Sequence, residues 1–114
     1  MGNIIEGKSF AFAVRIVNAY KCLNENKKEY VLSKQLLRSG TSIGANVAEA
    51  EQAQSRADFI SKMNIALKEA AETKYWIRLL EKTEYFTEKE SVSLLEDCVE
   101  IEKILVSIVK STKQ

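Results

Sequence analysis

The sequence predicts an all-α protein that folds as an antiparallel up-down-up-down four-helix bundle. The chain of 114 residues has no proline and only four glycines, whereas a β-rich domain of this length needs many turn residues. Four segments repeat their apolar residues at steps of three and four positions, which is the period of an α-helix. Short polar connections make consecutive long helices antiparallel neighbours. We therefore expect a single bundle domain over residues 1–114.

Charge and cysteine content narrow the class of protein. The 17 basic and 16 acidic residues leave a formal net charge of +1, far from the strong basic excess of a dedicated nucleic-acid binder. Cys22 and Cys98 stand on apolar helical positions without a CxxC pair, so we expect buried free thiols. No stretch approaches the roughly 18 apolar residues that cross a bilayer. We expect a cytoplasmic protein that has no membrane partner.

The first helix is predicted over residues 9–24. Its apolar side chains recur at helical spacing and form one stripe: Phe10, Ala13, Val14, Ile16, Val17, Tyr20 and Leu23. Polar residues then interrupt the pattern. Asn26 with Glu29 three positions later resembles a capping box, which satisfies free backbone N–H groups at a helix start.

The second helix, predicted over residues 28–54, has an unusually small-sided face. Its expected core stripe consists of Leu32, Leu36, Ser39, Ile43, Val47 and Ala50. Gly40 and Gly44 lie one turn apart beside this stripe, and a glycine costs about 1 kcal/mol relative to alanine inside a helix. We expect another helix to approach closely at these glycines.

The third and fourth helices have the clearest periodicity. Ser55 with Asp58, and Thr87 with Glu90, mark their starts. The third core stripe runs through Phe59, Met63, Ala66, Ala70, Thr73, Ile77 and Leu80. The fourth helix has two stripes, one of Leu94, Cys98, Ile101, Leu105 and Ile108 and another of Val92, Leu95, Val99, Val106 and Val109. A monomeric bundle needs only one of them, so the second stripe predicts self-association.

The residue types that most enzyme chemistry requires are missing. The chain has no histidine, which removes the commonest general base and metal ligand. Neither zinc-type cysteine spacing nor a Gly-rich phosphate loop occurs in the sequence. We predict no catalytic residue, no cofactor, no metal site and no small-molecule substrate.

A polar stripe on the second helix is the main candidate site. Its members follow at steps of four, four and three residues and share one helical face: Arg38, Ser42, Asn46 and Glu49. Glu69 and Glu72 on the third helix are candidate partners for Arg38. The stripe is either a partly buried network that fixes helix register, the interpretation we favour, or a polar binding pocket.

Two further groups bear on nucleic-acid binding. Lys27, Lys28 and Lys34 form a basic cluster with Arg38. This cluster is either a phosphate-contacting patch or, as we favour, the solvated start of a helix. Four aromatic residues are either a base-stacking surface or, as we favour, packing at the bundle end: Tyr75, Trp76, Tyr85 and Phe86.

The second helix carries a motif that resembles a known family. The run from Gln35 to Glu49, QLLRSGTSIGANVAE, is similar to the signature of the four helix bundle protein family. Members of this family include proteins encoded in intervening sequences of bacterial large-subunit ribosomal RNA genes. Residues 55–60, 65–70 and 75–80 are similar to the family's third helix. The resemblance covers residues 9–86 strongly and the last helix by pattern alone.

The resemblance implies a four-helix bundle that assembles into a ring-like homopentamer. It also implies a relation to the accessory variability determinant of diversity-generating retroelements, a basic pentameric barrel that binds nucleic acid and a reverse transcriptase. The resemblance also implies an architectural role for the polar stripe, because Arg38, Ser42, Asn46 and Glu49 match residues of the family's motif. This chain departs from that relative in being nearly neutral, with a net charge of +1.

Two functions from different classes follow as hypotheses. The first is a non-enzymatic oligomeric scaffold that binds RNA, DNA or a ribonucleoprotein partner. The second is a protein–protein interaction module that binds no nucleic acid. An enzyme is a third alternative. A salt-sensitive shift of RNA in a gel separates the first hypothesis from the second.

Overall fold

Four long helices follow one another with short connections between them. The computed structural model describes the backbone of residues 2–113 and the side chains of residues 4–113. Its helices are α1 (Gly2–Glu25), α2 (Leu32–Ala50), α3 (Arg56–Lys82) and α4 (Glu88–Lys113), and residues 2–113 contain no strand. Consecutive helices pack together, α1 also meets α4, and the diagonal pairs have no Cα atoms within 8 Å of each other among these residues. The predicted four-helix bundle is confirmed, and it measures 45 × 20 × 19 Å.

The predicted core stripes of α2, α3 and α4 lie inside the bundle. Their fully buried members include Leu36, Ile43, Val47, Met63, Ala66, Ala70, Ile77, Leu80, Cys98, Ile101 and Leu105. Two hydroxyls share this interior, because Thr73 on α3 lies 3.0 Å from Ser39 on α2, oxygen to oxygen. The hydrogen bond between them satisfies both polar groups where water cannot reach.

Helix α1 buries only part of the predicted stripe, namely Ile16 and Leu23. Its deeply buried residues are Ile5, Ser9, Phe12, Ile16 and Leu23. Phe10 and Val14, which were expected in the core, are 71% and 46% exposed. The prediction was wrong because α1 carries apolar residues on several sides. Spacing alone then leaves the inward face open, and packing against the neighbouring helices selects it.

The starts of α3 and α4 are capped as predicted. The backbone N–H of Asp58 donates to Ser55 Oγ at 3.0 Å. Thr87 and Glu90 form a reciprocal capping box, with hydrogen bonds of 2.8 and 3.1 Å. Helix α2 differs, because it begins at Leu32 rather than near residue 28. The chain turns first at Lys28, which has a φ of 58°.

Glu29, rather than a box with Asn26, caps the start of α2. Its carboxylate accepts hydrogen bonds from the backbone N–H groups of Val31, Leu32 and Ser33 at 3.2, 3.0 and 2.7 Å. Burial opposes the ionisation of Glu29, but these donors outweigh burial and lower the pKa of its carboxyl group. The positive end of the helix dipole also favours a negative charge at this position.

Helices α1 and α2 come very close at Gly40. A Cβ atom added there would lie 2.7 and 2.8 Å from two side-chain carbons of Ile16, which is well inside normal contact distance. A Cβ atom at Gly44 would lie 3.3 Å from the carbonyl oxygen of Ser9. The close approach expected at the two glycines is confirmed.

Candidate functional site

The predicted polar stripe begins with an ion-pair cluster between α2 and α3. Arg38 donates from Nη1 to Glu69 Oε1 at 3.3 Å and from Nη2 to Glu72 Oε2. Glu72 also accepts a hydrogen bond of 2.9 Å from Trp76 Nε1. The hydrogen bonds from Arg38 and Trp76 lower the pKa of Glu72, and the bond to Glu72 raises the pKa of Arg38. The structure thus brings Arg38 together with both carboxylates considered from the sequence.

The rest of the stripe does not form a shared pocket with Arg38. Ser42 Oγ and Asn46 Nδ2 donate to carbonyl oxygens one turn earlier on α2, at 2.6 and 2.8 Å. Glu49, at the other end, pairs with Lys62 on α3 at 3.1 Å. The side chain of Arg38 is 50% exposed, so its cluster is a surface contact rather than a buried one. Ion pairs at both ends of the stripe brace α2 against α3.

The lysine cluster surrounds the α1–α2 connection. Lys27, Lys28 and Lys34 are exposed, and none of them forms a salt bridge within residues 4–113. Lys28 donates from Nζ to the carbonyl oxygen of Glu25 at 3.0 Å. Tyr30, in the same connection, is 51% exposed. Ammonium groups that contact phosphates and an aromatic ring that stacks on a base are the elements of a nucleic-acid surface.

Most of the aromatic residues pack within the bundle. Trp76 and Tyr85 are partly buried against the core, and Phe86 is 8% exposed. Tyr75 meets Trp76 edge to face, with ring centroids 5.0 Å apart, while 57% of Tyr75 remains exposed. The packing interpretation therefore describes three of the four residues.

A shallow apolar groove runs between α1 and α2 on the outside of the bundle. We call it the α1–α2 groove, and its walls include Gly7, Phe10, Ala13, Gly44, Ala45 and Ala48, with Glu6 among the lining residues. Its volume is about 700 Å³. The groove exists because the glycines and alanines lack side chains that would fill it. The small residues are visible in the sequence, but the groove could not be predicted because Phe10 was expected in the core.

An apolar ridge lies on the outer side of α4. We call Val92, Leu95, Val99 and Val106 the α4 ridge. Its three valines are 45%, 36% and 44% exposed. Leu67 on α3 and Lys103 on α4 flank the ridge. The predicted second stripe of α4 is confirmed as exposed for the three valines. Leu95 is partly buried against the core, and Val109, the last expected member, is buried in it.

Polar contacts join α1 to α4. Arg15 donates to Asp97 Oδ2 at 2.7 Å and to the carbonyl and hydroxyl oxygens of Ser93 at 3.2 and 2.8 Å. Lys8 and Glu100 form a second ion pair at 3.2 Å. Neither pair was predicted, because residues of the first and last helices give no spacing signal for a contact between them.

The two cysteines have different surroundings. Cys22 is exposed, so the prediction that both thiols are buried was wrong for this residue. Cys98 is buried, and burial raises the pKa of its thiol to about 12. Cys98 therefore stays protonated at neutral pH and is a poor nucleophile. Among the described residues, no three histidine, cysteine, aspartate or glutamate side chains are placed to hold a metal ion.

None of the described helices combines the length and the apolar character that a membrane crossing requires.

Comparisons with known proteins place the chain beside others of similar sequence and structure. Residues 3–107 match the family model of the 23S rRNA-intervening sequence proteins. A protein of unknown function from the S23 ribosomal protein family of Bacteroides thetaiotaomicron has a crystal structure, and its sequence is 62% identical to that of this chain. The alignment covers 96% of this chain and 97% of that one, with a TM-score of 0.95. No curated protein matches the chain.

Proposed function

We propose that this chain, which belongs to the 23S rRNA-intervening sequence protein family, is a non-enzymatic scaffold that assembles with copies of itself. One observation carries the proposal: the bundle leaves apolar surface exposed on two opposite faces. The α1–α2 groove lies on one face, and the α4 ridge lies beside α3 on the other. Contiguous apolar patches of this kind mark partner surfaces.

Burial of the ridge supplies a driving force for assembly. Fully burying a valine side chain contributes about 1.5 kcal/mol relative to leaving it in water. The three ridge valines already have roughly half of their surface covered, so each contributes only part of that value. The groove adds Phe10, which is 71% exposed. Together these groups favour association at moderate protein concentration.

The assembly that we propose is a homopentameric ring. A contact that uses different surfaces on the two partners closes into a ring when the rotation between copies permits it. The number of copies rests on the family resemblance and not on the contacts within one chain.

The proposed scaffold has no catalytic role and resides in the cytoplasm. The absence of histidine from the sequence and the raised pKa of the Cys98 thiol support the first statement. Free cysteines support the second, because such thiols persist in a reducing compartment.

Size-exclusion chromatography with light scattering tests the assembly at micromolar concentration. We expect a closed oligomer with a mass that does not grow with concentration. A mass equal to the 12.9 kDa protomer would refute the proposal. A dimer or a tetramer would retain self-association and refute the homopentamer.

RNA binding is the second candidate function, and the lysine cluster with Tyr30 favours it. Lys27 and Lys28 lie in the α1–α2 connection and Lys34 in the first turn of α2, so a ring would repeat this group in every copy. Repetition of a weak phosphate-binding patch raises the overall affinity through avidity. The alternative is a module that binds only proteins, in which case these lysines are a solvated surface.

A gel-shift titration with a labelled fragment of 23S ribosomal RNA tests this candidate. We expect affinity to fall by orders of magnitude between about 50 and 200 mM salt. Replacing all three cluster lysines with glutamine should make the salt dependence shallower, by about one unit of log–log slope for each lost phosphate contact. The matched control replaces three other exposed lysines, Lys68, Lys110 and Lys113. Equal losses of RNA affinity in both triple variants, or no gel shift at all, would contradict RNA binding by the lysine cluster and favour the module that binds only proteins.

A further inference from the structure

We propose that a pocket at one end of the bundle takes one unstacked base of a single-stranded RNA whose phosphates the lysine cluster contacts. This inference rests on RNA binding, the second candidate function, and names the form of RNA that is bound. We call the cavity the Tyr85 pocket, and its lining residues include Arg15, Asn18, Cys22, Lys27, Tyr85 and Phe86. Its volume is about 320 Å³, which falls within the range of small-molecule sites, roughly 300–1,000 Å³.

The lining of the Tyr85 pocket combines buried apolar side chains with exposed polar ones. Leu23 and Leu94 are buried, and Phe86 is 8% exposed. Asn18 and Lys27 are exposed. Apolar side chains offer the flat face of a base a surface to pack on. An amide group can bind the edge of the base, and an ammonium group can bind the phosphate that follows it.

The aromatic part of the pocket is held in place without a ligand. The backbone N–H of Tyr85 donates to the carbonyl oxygen of Leu80 at 2.9 Å, and the N–H of Phe86 donates to the same oxygen at 3.1 Å. These hydrogen bonds fix the turn after α3, in which Glu84 has a φ of 70°. The Tyr85 side chain packs against the core and remains partly exposed in the pocket. A ring that is already fixed loses little conformational entropy when a base stacks on it.

The charges of the lining favour a base inside the pocket and a phosphate at its edge. Arg15 is already paired with Asp97 at 2.7 Å, and Glu90 adds a carboxylate to the lining. A carboxylate repels a phosphate but can accept a hydrogen bond from the amino group of a base. Lys27 forms no salt bridge within residues 4–113, so its ammonium group is available to a phosphate.

Lys27 belongs both to the Tyr85 pocket and to the lysine cluster. Lys28 follows it directly in the α1–α2 connection, and Lys34 lies in the first turn of α2. A ligand that uses the pocket and all three ammonium groups needs several phosphates and a flat ring beside one of them, which is the pattern of a nucleic-acid strand. The bases of a duplex are paired and stacked, so a single strand or a loop offers a base at lower cost.

Filling the pocket tests the inference in the complete protein. Cys22→Trp and Asn18→Trp each place a large ring at an exposed position that lines the pocket. We expect either variant to bind a labelled single strand of 23S ribosomal RNA about five- to 150-fold more weakly, the range for loss of one stacked base. Affinity for the duplex of the same strand with its complement should not change. The slope of log affinity against log salt should also stay the same, because all three lysines remain.

Two controls separate the pocket from other effects of the substitutions. Ser61→Trp places the same ring at an exposed position near the start of α3, at the other end of the bundle. Cys22→Ser removes the thiol and leaves the pocket open. Both controls should bind the single strand as the unchanged protein does. Far-UV circular dichroism checks that every variant keeps its helices, and an unchanged duplex affinity checks the lysine cluster.

The possible outcomes distinguish this site from RNA binding itself. No gel shift with either probe would overturn RNA binding and the site together. A shift that pocket filling leaves unchanged, or weakens equally for strand and duplex, would overturn the pocket alone. Nucleoside 5′-monophosphates should compete weakly, because they lack the phosphates that would contact Lys28 and Lys34. Displacement of the strand by an equal concentration of these nucleotides would overturn the assignment to RNA and indicate a site for free nucleotides.

Discussion

Helices α2 and α4 stand diagonally opposite in the bundle and are held in place by different means. Helix α2 is approached so closely that Gly40 leaves no space for a Cβ atom beside Ile16, and a buried carboxylate caps its start. Helix α4 packs its core stripe against α3, and ion pairs that solvent reaches join it to α1. An exposed capping box begins it, and a row of valines remains uncovered on its outer side.

The difference separates what holds the protomer together from what is available to a partner. Contacts of α2 are short, and most of its inward side chains are small, so a change there has no space to relax. Contacts of α4 with α1 are polar and exposed, and such contacts are individually weak. We therefore expect substitutions where α2 meets α1 to alter stability strongly and substitutions of the polar groups between α4 and α1 to alter it little.

The largest effect is expected at Gly40. Gly40→Val adds branched carbons where even a Cβ atom would overlap Ile16, and overpacking of this kind costs about 1–3 kcal/mol, occasionally more. Chemical denaturation measures the loss in the free energy of unfolding. A cycle with Ile16→Ala supplies the control, because removing the opposing carbons should make the double variant less destabilised than the sum of the singles by about 0.5–3 kcal/mol. Strict additivity would mean that the two side chains do not collide.

The next effect concerns the buried cap of α2. Glu29→Gln removes a charge that accepts three backbone hydrogen bonds, and we expect a loss of about 1–2 kcal/mol at neutral pH. The folded pKa of Glu29 is below the ordinary value of 4.5. Its stabilisation is therefore complete above that pH and disappears as the pH falls through the folded pKa. The difference between the two proteins should shrink in acid.

Glu90→Gln at the start of α4 is the matched comparison for the cap. Glu90 also accepts a backbone hydrogen bond, but it is exposed and makes one such bond where Glu29 makes three. We expect a loss of about 0.5 kcal/mol, at the lower end of measured capping effects. Equal losses from Glu29→Gln and Glu90→Gln would contradict the contrast between the two helices.

Arg38→Ala should have a smaller effect than its sequence suggests. A buried ion pair costs about 3–5 kcal/mol when broken, and the interpretation favoured from the sequence was a partly buried network around Arg38. Half of the Arg38 side chain is exposed, so we now expect a loss of about 1 kcal/mol. Arg38→Lys is the control that keeps the charge but loses the fork that reaches Glu69 and Glu72. A loss below about 0.5 kcal/mol for Arg38→Ala would mean that the cluster is simply solvated.

The smallest effect is expected where α1 meets α4. Arg15→Ala removes the contacts to Asp97 and Ser93 and should cost about 0.5 kcal/mol. High salt screens exposed ion pairs, so the difference from the unchanged protein should narrow further at about 1 M salt. A loss as large as that of Gly40→Val would show that polar contacts hold α4 as firmly as packing holds α2.

Periodicity predicted most of the fold because three of the helices have one clearly apolar face. The stripes of α2 and α3 entered the core as expected, and so did the two glycines at the close approach. Helix α1 was misread, since Phe10 and Phe12 both follow helical spacing and only one can point inward. The start of α2 was also missed. Glu29 can cap α2 only because the preceding turn holds Lys28 at a φ of 58°, and no short sequence pattern predicts that geometry.

The candidate sites were less predictable than the fold, because they depend on contacts between distant parts of the chain. Arg38 with Glu69 and Glu72 could be anticipated, since the helices are consecutive and antiparallel. The partner of Glu49, Lys62, was overlooked, as was the whole Arg15 contact to α4. The groove between α1 and α2 could not be foreseen while Phe10 was placed inside the core.

The unequal burial of the two cysteines makes the chain a natural reporter of its own opening. Cys22 is exposed and Cys98 is fully buried, so an alkylating reagent should modify the first thiol at once. The second thiol can react only when the bundle opens around α4. The ratio of the two rates in one sample then measures the free energy of that opening. Partner copies that cover the α4 ridge would slow the alkylation of Cys98. The alkylation of Cys22 would keep its rate and serve as the internal reference.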